Sequence, residues 1–168
     1  MMPESSGLNQ VVSSLLIIIL GVSAMAIALK TGVPVIMSRL DMKRYRDGEA
    51  IAASVQACLE ELIACGYGCS RSLRLSLPEG YFLSFTNDTV QLQVRVSKPR
   101  PGSAIIRDEP HTMLTWYSRL DSYIFNITLK EYPQGCRWRF NTTEMILGKE
   151  FALTFTLQEN HTIIVTGD

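Results

Sequence analysis

The side chains able to do chemistry in this sequence are few and scattered. His111 and His161 are its two histidines, fifty positions apart, and neither has a Cys, Asp or Glu at a metal-ligand spacing. Asp108-Glu109 is an acidic pair beside Pro110, most simply a surface loop. There is no glycine-rich phosphate loop and no nucleophile elbow. The expectation is therefore no catalytic, cofactor-binding or metal-ligating residue, no small-molecule substrate, and a protein that is not an enzyme.

The cysteines are Cys58, Cys65, Cys69 and Cys136. Cys58 and Cys65 fall on one expected helix, seven residues and hence two turns apart, too distant to bond each other. Either Cys65 or Cys69 can bridge to Cys136, which would staple the helix end to the rest of the domain and suit an exported protein. Four buried free thiols are the alternative. A spacing of seven on a helix is not a zinc knuckle.

Four Asn-x-Thr sequons occur: Asn87-Asp88-Thr89, Asn126-Ile127-Thr128, Asn141-Thr142-Thr143 and Asn160-His161-Thr162. All follow the apolar segment described next. Together they predict an exported surface glycosylated at Asn87, Asn126, Asn141 and Asn160.

The elements that must carry these residues divide sharply. Lys plus Arg is 16 and Asp plus Glu is 16, so the formal net charge is zero. A neutral chain lacks the basic footprint that nucleic acid requires. Glu4 is the one charge before Lys30. Val11 to Leu29 reads VVSSLLIIILGVSAMAIAL, a helix of about 28 Å that matches the bilayer core of about 30 Å. The competing readings are a buried core helix and a cleaved secretory signal, for which Ala24-Met25-Ala26 offers a small-x-small site. Ser14, Gly21 and Ala28 repeat every seven residues with Ala24 on the same side. Small residues let helices approach closely in lipid, so this stripe predicts self-association; the bland alternative is the ordinary composition of membrane helices.

Beyond the span, Pro34 is expected to kink or break the helix. A second helical pattern starts at Ser38, with Leu40, Ile51, Val55, Cys58, Leu59 and Leu62 along one stripe. Arg39, Asp41, Lys43, Arg44, Arg46, Asp47 and Glu49 crowd its first half, and Gly66 and Gly68 end it. From Arg71 the apolar period changes to two. Segments 72–77, 81–86 and 90–96 are read as a three-stranded meander, followed by strands over 113–117, 123–129, 137–140, 151–157 and 162–166. Ile51 to Ala64 is the helix available to cover the sheet. The expected fold class is α+β: a long N-terminal helix, half transmembrane and half amphipathic, packed on an antiparallel β-rich head. The expected divisions are a leader region over 1–10, a transmembrane helix over 11–29, a stalk over 30–66 and a head over 67–168.

Gly7-Leu8-Asn9-Gln10-Val11-Val12-Ser13-Ser14-Leu15-Leu16 resembles the processing and assembly segment of archaeal type IV pilin-like surface proteins with a class III signal peptide. The amphipathic second helix, the Gly66-Tyr67-Gly68 end and the Leu77-Pro78-Glu79-Gly80 turn are also similar to that family. The resemblance implies cleavage between Gly7 and Leu8 by a membrane peptidase. It also implies a retained helix that anchors the subunit and later packs in a filament core, and an adhesive head outside the cell. Met2-Pro3-Glu4-Ser5-Ser6 stands where the family usually has Lys or Arg, and Val12 where bacterial pilins commonly carry Glu. The alternatives are a single-pass anchored extracellular β domain that does not polymerise, and a secreted β protein that has lost the helix. Lys30, Arg39, Lys43, Arg44 and Arg46 all follow the span, and by the positive-inside rule alone they would place the head in the cytoplasm.

Overall fold

The computed structural model describes the backbone of residues 5–130, 138–141, 145–146 and 150–167. The fold is α+β, with one long helix and two sheets. Helix α1 (Ser5–Cys65) runs without interruption through Pro34, where the sequence predicts a kink or break. Pro34 removes one backbone donor, and the helix carries on across it although its neighbours Thr31, Gly32, Val33, Val35 and Ile36 are weak helix formers. The helix stops where Gly66 adopts φ 93° and donates its amide to the Ile63 carbonyl (3.2 Å), the left-handed residue that commonly closes a helix.

The chain forms two compact units, Met1–Leu40 and Asp41–Asp168, and α1 contributes to both. In the first, every side chain described from Gln10 to Leu40 is exposed, apart from the half-buried position of Gly32.

Among the described residues the second unit contains α1 from Asp41 onward and ten strands: β1 (Ser70–Ser76), β2 (Tyr81–Thr86), β3 (Thr89–Arg95), β4 (Ser103–Asp108), β5 (Thr112–Arg119), β6 (Ser122–Leu129), β7 (Arg139–Phe140), β8 (Met145–Ile146), β9 (Glu150–Leu157) and β10 (Thr162–Gly167). They build a six-stranded sheet, β4-β5-β6-β3-β2-β8, and a four-stranded sheet, β1-β9-β10-β7. Neighbours run antiparallel except β10 and β7.

The expected meander of the first three strands is corrected. β2 and β3 form a hairpin closed at Thr86↔Thr89, but β1 pairs instead with β9, from Ser70↔Thr156 to Ser76↔Glu150. The turn at Pro78-Glu79-Gly80, with Gly80 at φ 88° and its carbonyl accepting from the Arg95 amide (2.8 Å), carries the chain from one sheet into the other. Alternation in a sequence fixes which face a strand buries, and not which partner lies beside it. β4 and β8 were not foreseen. β4 is an exposed edge strand with a register shift between Ile105 and Arg107, so it lacks an alternating apolar face.

One buried cluster gathers α1 and the inner faces of both sheets. Ala52, Val55, Leu59 and Leu62 come from the helix, Leu83, Leu92, Val94 and Phe125 from the larger sheet, and Leu153, Phe155 and Leu157 from the smaller. Phe85 joins the sheets through ring contacts with Phe140 (5.5 Å) and Phe155 (6.2 Å). Tyr45, on α1, meets the rings of Trp116 (5.3 Å) and Tyr123 (5.0 Å). Each fully buried Leu or Phe contributes about 1.5–3 kcal/mol.

Polar fasteners hold α1 at both ends of this contact. Buried Asp41 accepts from the amides of Ser97 and Lys98, one on each carboxylate oxygen (3.0 Å each). Glu60 accepts from the His111 amide (3.0 Å) and the Thr112 hydroxyl (2.7 Å), and Gln56 donates its amide to the same hydroxyl (3.1 Å).

Candidate membrane anchor and head surface

The first unit has the geometry of a membrane span. α1 contains a window long and apolar enough to cross a bilayer, and none of that window is buried. Lys30 is the one charge between Gln10 and Ser38. Beyond it Val33, Val35, Ile36 and Met37 are exposed as well, so the apolar surface continues past Leu29, where the sequence reading ended it. A lysine stem can lie along apolar surface while its ammonium reaches water, and the signal missed was the helix carrying on through Pro34.

Two hydroxyls in this stretch bond back to the helix itself. Ser14 Oγ donates to the Gln10 carbonyl and Thr31 Oγ1 to the Ile27 carbonyl (2.9 Å each), the back-bonding that helical Ser and Thr side chains commonly make. At 100° per residue, Ser14, Gly21, Ala24 and Ala28 fall within an arc of about 80°. All four are exposed, and a β-carbon built at Gly21 meets nothing within 4 Å. Gly7 and Leu8 lie within the helical backbone of α1.

On the head, the sequon asparagines occupy different settings. Asn87 is exposed at the β2–β3 turn, where its carbonyl accepts from the Phe140 amide (2.7 Å). Asn126 sits mid-strand in β6, half-buried, with Oδ1 accepting from Gln91 Nε2 (3.0 Å). Asn141 is exposed and takes the Val165 amide on Oδ1 (3.0 Å); its sequon partners Thr142 and Thr143 lie outside the described residues. Asn160 is exposed in the β9–β10 turn and takes the Thr162 amide on Oδ1 (3.2 Å).

The cysteine pairing differs from either expected bridge. Cys65 is bonded to Cys69, four residues on. The turn at Gly66 and Gly68, both at positive φ, brings the two together just past the helix end, so neither thiol is left for Cys136, which lies outside the described residues. Cys58 is a free, half-buried thiol, and burial pushes its pKa up from the ordinary value. An inert structural thiol fits that environment.

The disulfide loop also builds a cluster that sequence reading missed. The Tyr67 hydroxyl is hydrogen-bonded to His161 Nε2 (2.6 Å), with the two rings edge to face. Trp138 contacts both rings, at 5.0 Å from His161 and 6.4 Å from Tyr67. Beside Tyr67 lies an open cleft of about 490 Å³, bounded by the β9–β10 turn at Gln158, Glu159 and Asn160. Residues 67 and 161 are ninety-four positions apart, and only the pairing of the loop with β9 unites them. Gly68 donates its amide to the Leu157 carbonyl (2.8 Å), and Leu157 donates to the Cys69 carbonyl (3.0 Å).

His111 and His161 sit on different elements. Among the described residues no three His, Cys, Asp or Glu side chains converge to hold a metal ion. Asp108 ends β4 and pairs with Lys130. No family model, no curated protein and no solved structure matches this chain.

Proposed function

We propose that this chain is a pilin-like, single-pass membrane-anchored subunit of a cell-surface filament or its accessory component, with the β head outside the cell. One observation carries the reading: α1 is a single helix whose residues 10–40 bury almost nothing while its later turns build the core of a folded domain. The mechanism is physical. The apolar part anchors, the small-residue stripe of Ser14, Gly21, Ala24 and Ala28 packs against like helices, and the head presents an adhesive surface. No catalytic step, metal or cofactor is assigned.

Two observations support the outward orientation. The Cys65–Cys69 disulfide suits an oxidising compartment and not a reducing cytosol, and Asn87, Asn141 and Asn160 are exposed on the head. These outweigh the basic residues after the span, which the positive-inside rule would assign to the cytoplasm. The runner-up is an anchored binding domain that never polymerises, favoured by Val12 and by the absence of Lys or Arg from Met2 to Ser6.

The deciding measurement is the mature N-terminus, by mass spectrometry of membrane-extracted protein. A start at Leu8 establishes pilin-type processing. A start at Met1 or Met2 leaves a simple anchor and removes the filament model's main support.

A further inference from the structure

We infer that the cleft beside Tyr67 is a saccharide site, filled by a glycan that the chain itself carries on Asn160. This rests on the exported orientation proposed above.

The platform is built with unusual rigidity for an exposed side chain. Tyr67 is 50% exposed, yet its backbone is fixed between two positive-φ glycines inside the Cys65–Cys69 loop, and its hydroxyl is anchored on His161. A ring held with few degrees of freedom offers its face at little entropic cost. The electron-rich face of an aromatic ring attracts the polarised C–H groups of a sugar. Gln158 and Glu159 supply hydroxyl partners at the rim. The cleft, about 490 Å³ and open to solvent, has room for a short saccharide lying along the ring.

Asn160 supplies the occupant because it borders the same cleft and heads a sequon. Its Oδ1 is engaged by the Thr162 amide, and His161, the sequon's middle residue, holds the left-handed turn at φ 60°. Nδ2 is left outside the turn's hydrogen bonds. Asn87 and Asn141 are equally exposed but do not border this cleft, and Asn126 is half-buried in mid-strand. The attachment requires a lipid-linked sugar phosphate donor. The Asn160 Nδ2–C1 bond forms, the C1–O bond to phosphate breaks, Nδ2 releases one proton, and the phosphate leaves with the bonding pair.

The test uses the full chain purified from the membranes of its own cells. Glycopeptide mass spectrometry is expected to find Asn160 occupied. Cross-relaxation is expected between Tyr67 ring protons and sugar protons, a measurement that needs no variant. Enzymatic removal of the glycan is expected to lower the melting midpoint by about 2–4 °C in the natural chain, by less in Tyr67→Phe, which keeps the ring and loses its His161 anchor, and not at all in Tyr67→Ala. An empty Asn160 beside an occupied Asn87 overturns the inference and leaves the exported reading standing. Empty sequons throughout, with Cys65 and Cys69 reduced in cells, overturn both. An occupied Asn160 whose sugar shows no contact with Tyr67 overturns the platform.

Discussion

Gly48 and Phe125 approach so closely that a β-carbon at position 48 would stand 2.8 Å from Phe125 Cε2, and 2.7 Å from Val94 Cγ2. Both neighbours are fully buried, so neither ring nor methyl can swing aside. α1 lies tight on the larger sheet at this point because one residue lacks a side chain. Replacing glycine by alanine inside a helix ordinarily gains up to about 1 kcal/mol. Here overpacking of about 1–3 kcal/mol opposes that gain. Gly48→Ala is expected to lower the thermal midpoint, and Gly48→Leu to lower it much further. An unchanged or raised midpoint for Gly48→Ala would show that the helix stands off the sheet.

Asp41 fastens the start of the head's helical segment to the chain leaving β3, through the Ser97 and Lys98 amides. Hydrogen bonds to a charged acceptor are worth about 1.5–3 kcal/mol each, and their loss leaves two donors without an acceptor. Asp41→Ala is expected to destabilise the head by a few kcal/mol. Hydrogen exchange at residues 97 and 98 should rise by more than in the core strands. Equal acceleration everywhere would place the fastener's effect elsewhere.

Tyr81 gives the protein an alkaline limit. Burial, helped by the Asp47 carboxylate and opposed by Arg44, pushes its phenol up to about 12 from 10.0, and its hydroxyl donates to the Arg44 carbonyl (3.0 Å). The unfolded chain therefore releases this proton first as pH rises. The contribution is fully present below about pH 10 and is lost progressively toward pH 12. Tyr81→Phe should flatten the fall of stability over that window, while losing about 1 kcal/mol at neutral pH with the hydrogen bond. Midpoints measured across the alkaline range check both.

The legible part of this protein was whatever depends on near neighbours in sequence. The apolar run, the helical stripe through Val55, Leu59 and Leu62, and the alternation of Val90, Leu92 and Val94 all announce a face and a period. These are enough for an α+β chain with a long N-terminal helix. What depends on distant pairing was hidden. Nothing local in Leu73 and Leu75 names β9 as their partner, and nothing near Tyr67 points to His161. The Cys65–Cys69 bridge was within reach, since the three residues between them, two of them glycines, can fold the chain back. The helical spacing from Cys58 drew attention to the wrong side of Cys65.

The Cys65–Cys69 loop predicts two chemical outcomes. In non-reduced protein the peptides holding these residues should emerge linked, while Cys58, with its pKa raised by burial, should alkylate more slowly than an exposed thiol. A loop this short restricts the unfolded chain modestly. The joint change to Cys65→Ser and Cys69→Ser should cost about 2 kcal/mol. A much larger loss would mean that the Tyr67 cluster depends on the bridge to form at all.

Gly21 is the opposite case to Gly48. A β-carbon there meets nothing within 4 Å, so Gly21→Leu leaves the head's midpoint unchanged. If the stripe through Ser14, Gly21, Ala24 and Ala28 is the surface on which subunits meet, the same change forces the helix backbones apart. Association in detergent, followed by crosslinking or sedimentation, should then weaken about tenfold or more, the equivalent of about 1.4 kcal/mol. Ile19→Leu, an equally apolar change on the opposite side of the helix from the stripe, should leave association unaltered. The pair separates a specific helix contact from general greasiness. Equal association for Gly21→Leu and the natural chain would leave the span as an anchor alone and favour the non-polymerising form of the proposed function.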